Sequence, residues 1–503
     1  MRLSVFSLRN IRRIYSTVFL VLFFLLILIT DYRVMRGYEV NIFLKIDPLI
    51  AIGSLFSSWT IYKGLILSGA LLLLTLVFGR FFCSWICPLG TINQTMGSYK
   101  KESSEQYHYN RFKPVYRFKY YLLAVLLVLS IFGIFQIGIL DPIALLTRTT
   151  AVLVVPALNR YTGLIYAKDF LTKGAVLLAL IFVALLFANR FIPRLWCRLV
   201  CPLGALLGAF SSISVFRIWR DEKKCTQCMK CIKNCHGACE PHAQMKLSEC
   251  LLCMNCLEDC PEGAIHYGLP KNNSALHGRV NLSRRRLMET IIFSTILAPL
   301  MGSAVEASKK PSPFLIRPPG ALPEESFKKR CVKCGQCMKV CPTNALQPAL
   351  LEGGFEALWS PIVVPRIGYC EYGCVLCSQV CPTGAIIPIT PEEKIKKPIK
   401  IGTAFYDRGR CLPWAMNIEC IVCEEVCPTS PKAIWFEETE LYLRNGTKKV
   451  IKRPHLEPEL CIGCGICEYR CPVSDKAAIR VTSVGESRSI KNQMILKNHI
   501  KKV

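Results

Sequence analysis

The chain has 503 residues, room for about three domains. Lys and Arg number 63 against 35 Asp and Glu, a formal charge of +28, and 52% of residues are hydrophobic. The charges are dispersed and no nucleic-acid motif accompanies them, which argues against nucleic acid as a partner; basic loops flanking membrane spans account for the balance better.

Four apolar runs, 14–30, 64–79, 120–140 and 174–188, predict membrane spans, the second and fourth shorter than the usual ~20 residues. Arg2, Arg9, Arg12 and Arg13 precede the first run. Arg80, Lys100, Lys101, Arg111, Lys113, Arg117 and Lys119 follow the second. Both basic stretches are expected in the cytoplasm, with loops 31–63 and 141–173 outside.

This region repeats. FCSWICPLG at 82–90 recurs as WCRLVCPLG at 196–204, and Asp47-Pro48-Leu49 is echoed by Asp141-Pro142-Ile143. A parallel repeat brings Cys83, Cys87, Cys197 and Cys201 to one face, the cytoplasmic one. Three readings stay open for them: buried thiols at helix ends, one redox or metal site, or two reversible disulfides. No histidine lies in a span and no C-x2-C-H occurs, so neither a bis-histidine membrane haem nor a c-type haem is expected.

After Cys201 the chain turns polar. Cys225, Cys228, Cys231 and Cys235 form one C-x2-C-x2-C-x3-C run, and Cys250, Cys253, Cys256 and Cys260 form another. The spacing is that of a two-cluster ferredoxin with exchanged fourth ligands. Cys260 is therefore expected to join Cys225, Cys228 and Cys231, and Cys235 to join Cys250, Cys253 and Cys256. His236 stands where Pro is usual, and Cys239 is either a spare buried thiol or a replacement for Cys235.

Residues 283–307 begin SRRRLM, continue through an apolar stretch at 291–301 and end in small residues. Basic start, apolar middle and small-residue end are the parts of an export signal. Arg284 and Arg285 resemble the pair of a twin-arginine signal, which carries folded proteins, though this one is internal and its pattern imperfect. The segment is either cleaved near Val305-Glu306-Ala307 or kept as an anchor; the alternative is a loop with a buried helix.

Four more runs follow: Cys331, Cys334, Cys337, Cys341; Cys370, Cys374, Cys377, Cys381; Cys411, Cys420, Cys423, Cys427; and Cys461, Cys464, Cys467, Cys471. Zinc competes for any lone C-x2-C, but six near-copies favour six [4Fe–4S] clusters. Gly335, Gly373, Gly463 and Gly465 fit backbone wrapping closely around sulfide. The stretches between runs have room for a short helix, a hairpin and a crossover. The fold expected is multi-domain: an α-helical membrane bundle of four spans plus a signal or anchor, with small α+β bacterial-type ferredoxin domains. The boundaries are 1–215 for the membrane domain, 216–270 for a cytoplasmic ferredoxin, 283–307 for the signal, 308–484 for an exported four-cluster ferredoxin and 485–503 for a basic tail.

In that order of motifs, residues 1 to about 270 resemble the NapH-type membrane ferredoxin. Residues from about 283 onward resemble the NapG/MauM-type exported ferredoxin. The whole looks like a fusion of two subunits of a quinol dehydrogenase. The resemblance implies electron transfer from the membrane quinol pool, menaquinol among it, to an exported reductase or its electron carrier. It also implies that outer runs exchange ligands, as do inner runs, so that Cys471 would complete Cys331, Cys334 and Cys337, and Cys341 would complete Cys461, Cys464 and Cys467. Cys427 would likewise complete Cys370, Cys374 and Cys377, and Cys381 would complete Cys411, Cys420 and Cys423. Quinol oxidation needs a base, which makes Asp47 and Asp141 in the outer loops candidate proton acceptors; the alternative is a capped Asp-Pro turn. A redox maturation factor for a metalloenzyme is the second functional reading. A cytoplasmic polyferredoxin is the third, should 283–307 not export. No constellation for a terminal reduction is present.

Overall fold

The computed structural model describes residues 7–31, 40–60, 62–97, 107, 109–162, 175–189, 191–243, 245–270, 280, 282–306, 312–442 and 448–493. Arg2, Lys100, Lys101, Ala307 and the basic tail past 493 lie outside them. Two compact units result, one built mainly from residues up to 302 and the other mainly from 303 onward.

The first unit is helical and carries the repeat in its element order. One copy comprises α1 (Leu8–Ile29), α2 (Pro48–Ser58), α3 (Leu67–Phe78) and α4 (Pro88–Gly97). The other comprises α5 (Phe118–Ile131), α6 (Pro142–Thr149), α7 (Ala175–Ala188) and α8 (Pro202–Ser211). Asp47 starts α2 and Asp141 starts α6 in the same way. Each Oδ1 accepts from the two amides that open its helix, Leu49 and Ile50 at 2.8 and 3.3 Å, Ile143 and Ala144 at 2.9 and 2.8 Å. Pro at the first helical position suits a site whose N–H has no partner in the helix.

Each apolar run is mostly helical over its described residues, the third with a break at 132–136. Two helices, Leu8–Ile29 and Pro114–Ile131, are long and apolar enough to cross a membrane; Lys63–Phe78 and Ala175–Ala188 are shorter. Their outer faces are apolar stripes at helical spacing: Ile14, Val18, Val21 and Leu25 on α1, and Val176, Leu180, Val183 and Phe187 on α7, all exposed. Inside, α8 packs on α3 and α5, α2 on α5, and α4 on α1 and α6.

The C-x3-C-P motifs depart from a plain α-helical turn. Cys87 N–H bonds Phe82 O, and Cys201 N–H bonds Trp196 O, both five residues back and both at 2.9 Å. Pro88 and Pro202 cannot donate, so each chain stops at the second cysteine and restarts as a new helix. Cys201 is the N-cap of α8, its sulfur accepting from Gly204 N–H.

Strand β1 (Arg217–Arg220) precedes the first ferredoxin run and pairs antiparallel with β2 (Ile265–Gly268), which follows the second. The first unit continues into α9 (Arg284–Glu306), one 23-residue helix interrupted only by Pro299. Its Met288, Ile292, Phe293, Ile296 and Leu300 are exposed, while small Ala298 packs against Leu129 and Ile134. The helix is therefore not the buried helix of a loop.

The second unit contains two more modules. In one, a hairpin of β3 (Leu346–Pro348) and β4 (Pro361–Val363) separates the runs, and Ala321 bridges Ile386 around them. In the other, β5 (Thr403–Tyr406) pairs with β8 (Ile479–Thr482) around the runs. The hairpin β6 (Ile434–Tyr442) and β7 (Lys448–Leu456) lies between them. All three modules are thus closed by the segment before their first run meeting the segment after their second.

Candidate functional site

In the regular runs the backbone turns left-handed on both sides of the second cysteine. This holds at Gln227 and Met229, Leu252 and Met254, Lys333 and Gly335, and Gly463 and Gly465. Such turns aim successive amides inward, a cradle for an anion. Five of the eight positions are not glycine, so the cradle itself imposes the strain. Gly463 is required for a second reason: a Cβ there would stand 2.5 Å from Gly402 O. Gly373, in the run with an extra residue, has no left-handed φ and nothing closer than Ile395 to meet a Cβ, so the expected role does not extend to it.

The cysteines fall into sets of three from one run and one from its neighbour. Cys225, Cys228, Cys231 and Cys260 line one cavity. Cys253 and Cys256 lie within electrostatic reach of Cys250 and Cys235, the exchange that the spacing predicts. Cys239 sits beside them, its sulfur 3.5 Å from that of Cys235. The contact between the two sulfurs and the Cys239 N–H pull the Cys235 thiol down, with Arg198 helping, while Cys239 is pushed up. Cys235 Sγ also accepts from Cys239 N–H at 3.4 Å.

In the second unit the partners differ from those implied by the resemblance. Cys461, Cys464 and Cys467 share a cavity with Cys427, and Cys411, Cys420 and Cys423 share one with Cys471. Cys337 interacts with Cys381, and Cys370, Cys374 and Cys377 with Cys341. Runs one and two thus form one module, and runs three and four another. Each module is a closed strand-bounded unit, so a run reaches its sequence neighbour and not the far end of the chain. The fourth cysteines share an environment: the sulfurs of Cys260, Cys381 and Cys471 accept from the amides of Ala264, Ile386 and Ala478 at 3.3–3.4 Å. Burial pushes the bare thiols up, Cys231, Cys334 and Cys464 to about 12, so ligation must release protons. Four-thiol sets lining one cavity each, with amides directed at the sulfurs, fit [4Fe–4S] clusters.

The two modules of the second unit meet at their inner sites. Cys370 N–H donates to Cys464 O at 2.8 Å, and Tyr369 packs on Tyr469. Arg366 crosses the same seam to the carbonyls of Glu468, Cys471, Val473 and Ser474. The four sites therefore follow one another in a single order, with the Cys331 and Cys411 sets at the ends. Lys394, buried, reaches Cys370 Sγ at 3.6 Å and the carbonyls of Glu371 and Cys374. Neither spacing nor composition signals that lysine.

In the first unit all four C-x3-C-P cysteines are buried and brought together, Cys201 within reach of Cys83, Cys87 and Cys197. Each sulfur faces one N–H donor. Arg80 Nε stands 3.3 Å from Cys83, Gly90 N 3.4 Å from Cys87, Asn93 Nδ2 3.9 Å from Cys197 and Gly204 N 3.2 Å from Cys201. Arg80 also bonds Ser248 O, and Trp85 Nε1 bonds Leu252 O, both beside ligands of the ferredoxin. Arg194 occupies the equivalent place in the second repeat and bonds Cys83 O and Gln94. The repeat is thus R-x2-C-x3-C-P-L-G, and comparing its copies one turn further back would have found both arginines.

Asp47 and Asp141 are fully buried and their side chains interact with each other. Cys87 lies within electrostatic reach of Asp141. Opposite faces of a hydrocarbon core are ~30 Å apart, so the aspartates and the cysteines do not sit at opposite faces. Helices α2 and α6 enter the bundle and carry the aspartates inward.

Comparison with known proteins identifies the chemistry. One family model, described as a 4Fe-4S binding domain, matches residues 60–103 and 174–219; these stretches hold Cys83, Cys87, Cys197 and Cys201 and no other cysteine. A 4Fe-4S dicluster domain matches residues 330–385, spanning runs one and two, and a further 4Fe-4S binding domain matches 454–474. The methylamine utilization ferredoxin-type protein MauM of Methylorubrum extorquens is 37% identical over 40% of this chain and 88% of its own length. The chain belongs to the family of ferredoxin-type proteins that includes MauM. The ferredoxin-type protein NapG of Escherichia coli is 33% identical over 39% of this chain and 84% of its own. YccM of Escherichia coli, named for electron transport, is 29% identical over 52% of this chain and 68% of its own. No solved structure matches. This MauM relative is an iron–sulfur electron transport protein.

Proposed function

We propose that the chain is held in the cytoplasmic membrane, takes electrons from membrane quinol and delivers them to an exported reductase or its electron carrier. What carries this reading is the single order of the four sites in the second unit, joined at the Cys370–Cys464 hydrogen bond. A series with two ends suits passage from one partner to another. The apolar stripes of α1 and α7 suit a lipid surface. Helix α9, at ~1.5 Å per residue, is long enough for a span, and its Ala298 contact favours an anchored export segment over a cleaved one. Residues 308–484 then lie on the periplasmic side and 216–270 in the cytoplasm.

Clusters, when bound, supply one-electron transfer. The residues around them shape the site: the left-handed turns direct amides to it, and Lys394 holds a positive charge beside one ligand. Each quinol loses two electrons and two protons. Asp47 and Asp141, buried and interacting with each other, are the acceptors of those protons in this reading. Their burial in the bundle, with Cys87 in electrostatic reach of Asp141, suits proton acceptors for quinol entering from the lipid.

The test uses the full chain in liposomes under nitrogen with a menaquinol analogue. Quinol is expected to bleach the iron–sulfur absorbance, and Asp47→Asn with Asp141→Asn to slow bleaching about a hundredfold or more, the range of a lost general base, without loss of iron. Bleaching by dithionite with none by quinol would overturn the reading.

A further inference from the structure

We propose that the Cys225 set, in the ferredoxin of the first unit, exchanges single electrons with a soluble acidic redox carrier that docks over Cys228. The quinol reading makes no use of such a partner, and the inference stands or falls without that reading.

The two sites of this ferredoxin differ in what covers them. Cys235, Cys250, Cys253 and Cys256 are all buried. Side chains of the helical unit hold the backbone around them: Arg12 reaches Asn255 Oδ1 at 3.4 Å, Trp85 Nε1 bonds Leu252 O at 3.0 Å and Arg80 bonds Ser248 O at 3.1 Å. The Cys225 set is open instead. Cys225 and Cys260 are half-buried, and Cys228 is the one exposed cysteine among the described residues. Electron transfer weakens steeply with distance, so an exposed ligand is where a partner's cofactor can come close. Thr226, Gln227 and Met229 beside it are exposed as well. Arg111 Nη2 stands 3.9 Å from the Met229 sulfur. Met and Arg are residue types enriched at protein interfaces.

Charge names the kind of partner. Arg111, Lys223, Lys224 and Lys230 are exposed, and no carboxylate pairs with their side chains among the described residues. The acids beside them in sequence are Asp221 and Glu222. Asp221 accepts from the Lys223 amide, and Glu222 faces Arg220 at 3.4 Å. Glu262 is a third acid, at the rim of the same cavity. Arg220 Nη1, 4.0 Å from Cys225 Sγ, offsets the negative charge of the ligands. The lysines are left to an outside partner, and a basic rim speeds the approach of an acidic one. Anionic lipid would meet the same lysines but has no use for an open ligand. Each exchange moves one electron between the carrier's cofactor and the cluster; no bond forms or breaks.

The probe is flavodoxin hydroquinone, an acidic one-electron donor, mixed anaerobically with the detergent-solubilised full chain in a stopped-flow instrument. Its oxidation by the chain should slow about tenfold or more between low and high salt. Lys223→Glu with Lys224→Glu and Lys230→Glu should slow it by a similar factor at low salt. Reduction of the same variant by methyl viologen radical, a small cation, should be unchanged or faster. A variant that flavodoxin reduces as fast as wild type, or that is slowed alike with both donors, overturns the proposal. A wild-type rate indifferent to salt overturns it even if the variant fails to accumulate. Acetylation of these lysines that anionic vesicles block and flavodoxin does not would assign the face to lipid and overturn it too.

Discussion

Around Cys235 and Cys250 the ferredoxin backbone is gripped by side chains of the helical unit; around Cys331 and Cys370 it is gripped by the ferredoxin modules themselves. Arg198, buried, donates to Cys235 O, His236 O, Tyr109 O and Asn110, and Lys119 pairs with buried Glu249. Arg9 reaches Glu258 and Asp259 from the start of α1. In the second unit, Arg317 forks onto Glu324 at 2.6 and 3.0 Å, Arg488 bonds the same carboxylate, and Arg366 ties the two modules together. The closure of each module is the same. What differs is whether the clamp belongs to the module or to its support. A module clamped from outside is fixed relative to the helices and their cysteines. A pair clamped from within keeps its own four sites in order.

Three changes break or sharpen that contrast. The largest effect concerns the closed modules of the second unit. Cys334→Ser combined with Cys381→Ser should cost about four iron, because both ligate one cluster; ligand exchange between distant runs would cost about eight. Iron and sulfide analysis of the purified chain reads the difference.

Arg198→Met should loosen the externally clamped module alone. Losing its charged hydrogen bonds costs on the order of 3 kcal/mol. Hydrogen exchange in the intact chain should speed up over 216–270 and stay unchanged over 321–386. Equal loosening of both would deny the contrast.

The third change, at most about 3 kcal/mol by the linkage of one carboxylate, concerns Glu324. Burial alone would raise it, but Arg317 and Arg488 outweigh burial and hold it at about 2. A carboxylate held low stabilises the fold above its ordinary value near 4.5, and that contribution fades as pH falls through about 2. Glu324→Gln should lower the thermal midpoint of the second unit at pH 7 and flatten its acid dependence between those two values. An unchanged midpoint at neutral pH would remove the carboxylate from the clamp.

The chain's chemistry was legible in its spacing because cluster ligation is local. Three cysteines of a regular run and the left-handed turns between them lie within seven residues, so Cys461, Cys464 and Cys467 declare themselves without a fold. The repeat was equally plain, as were the apolar runs and the caps at Asp47 and Asp141, since a cap needs only the two amides that follow it. Partners far apart in sequence were not legible. The fourth ligand depends on which strands close a module, and β5 meeting β8 is a tertiary fact that joins Cys411 to Cys471. Nor could spacing bring Asp141 near Cys87, because a hydrophobic run does not reveal whether the helix after it turns back into the bundle. The amino-acid sequence by itself determined which atoms can bind iron; the tertiary structure alone decided which of them share a site, because that choice rests on packing between segments that no local pattern records.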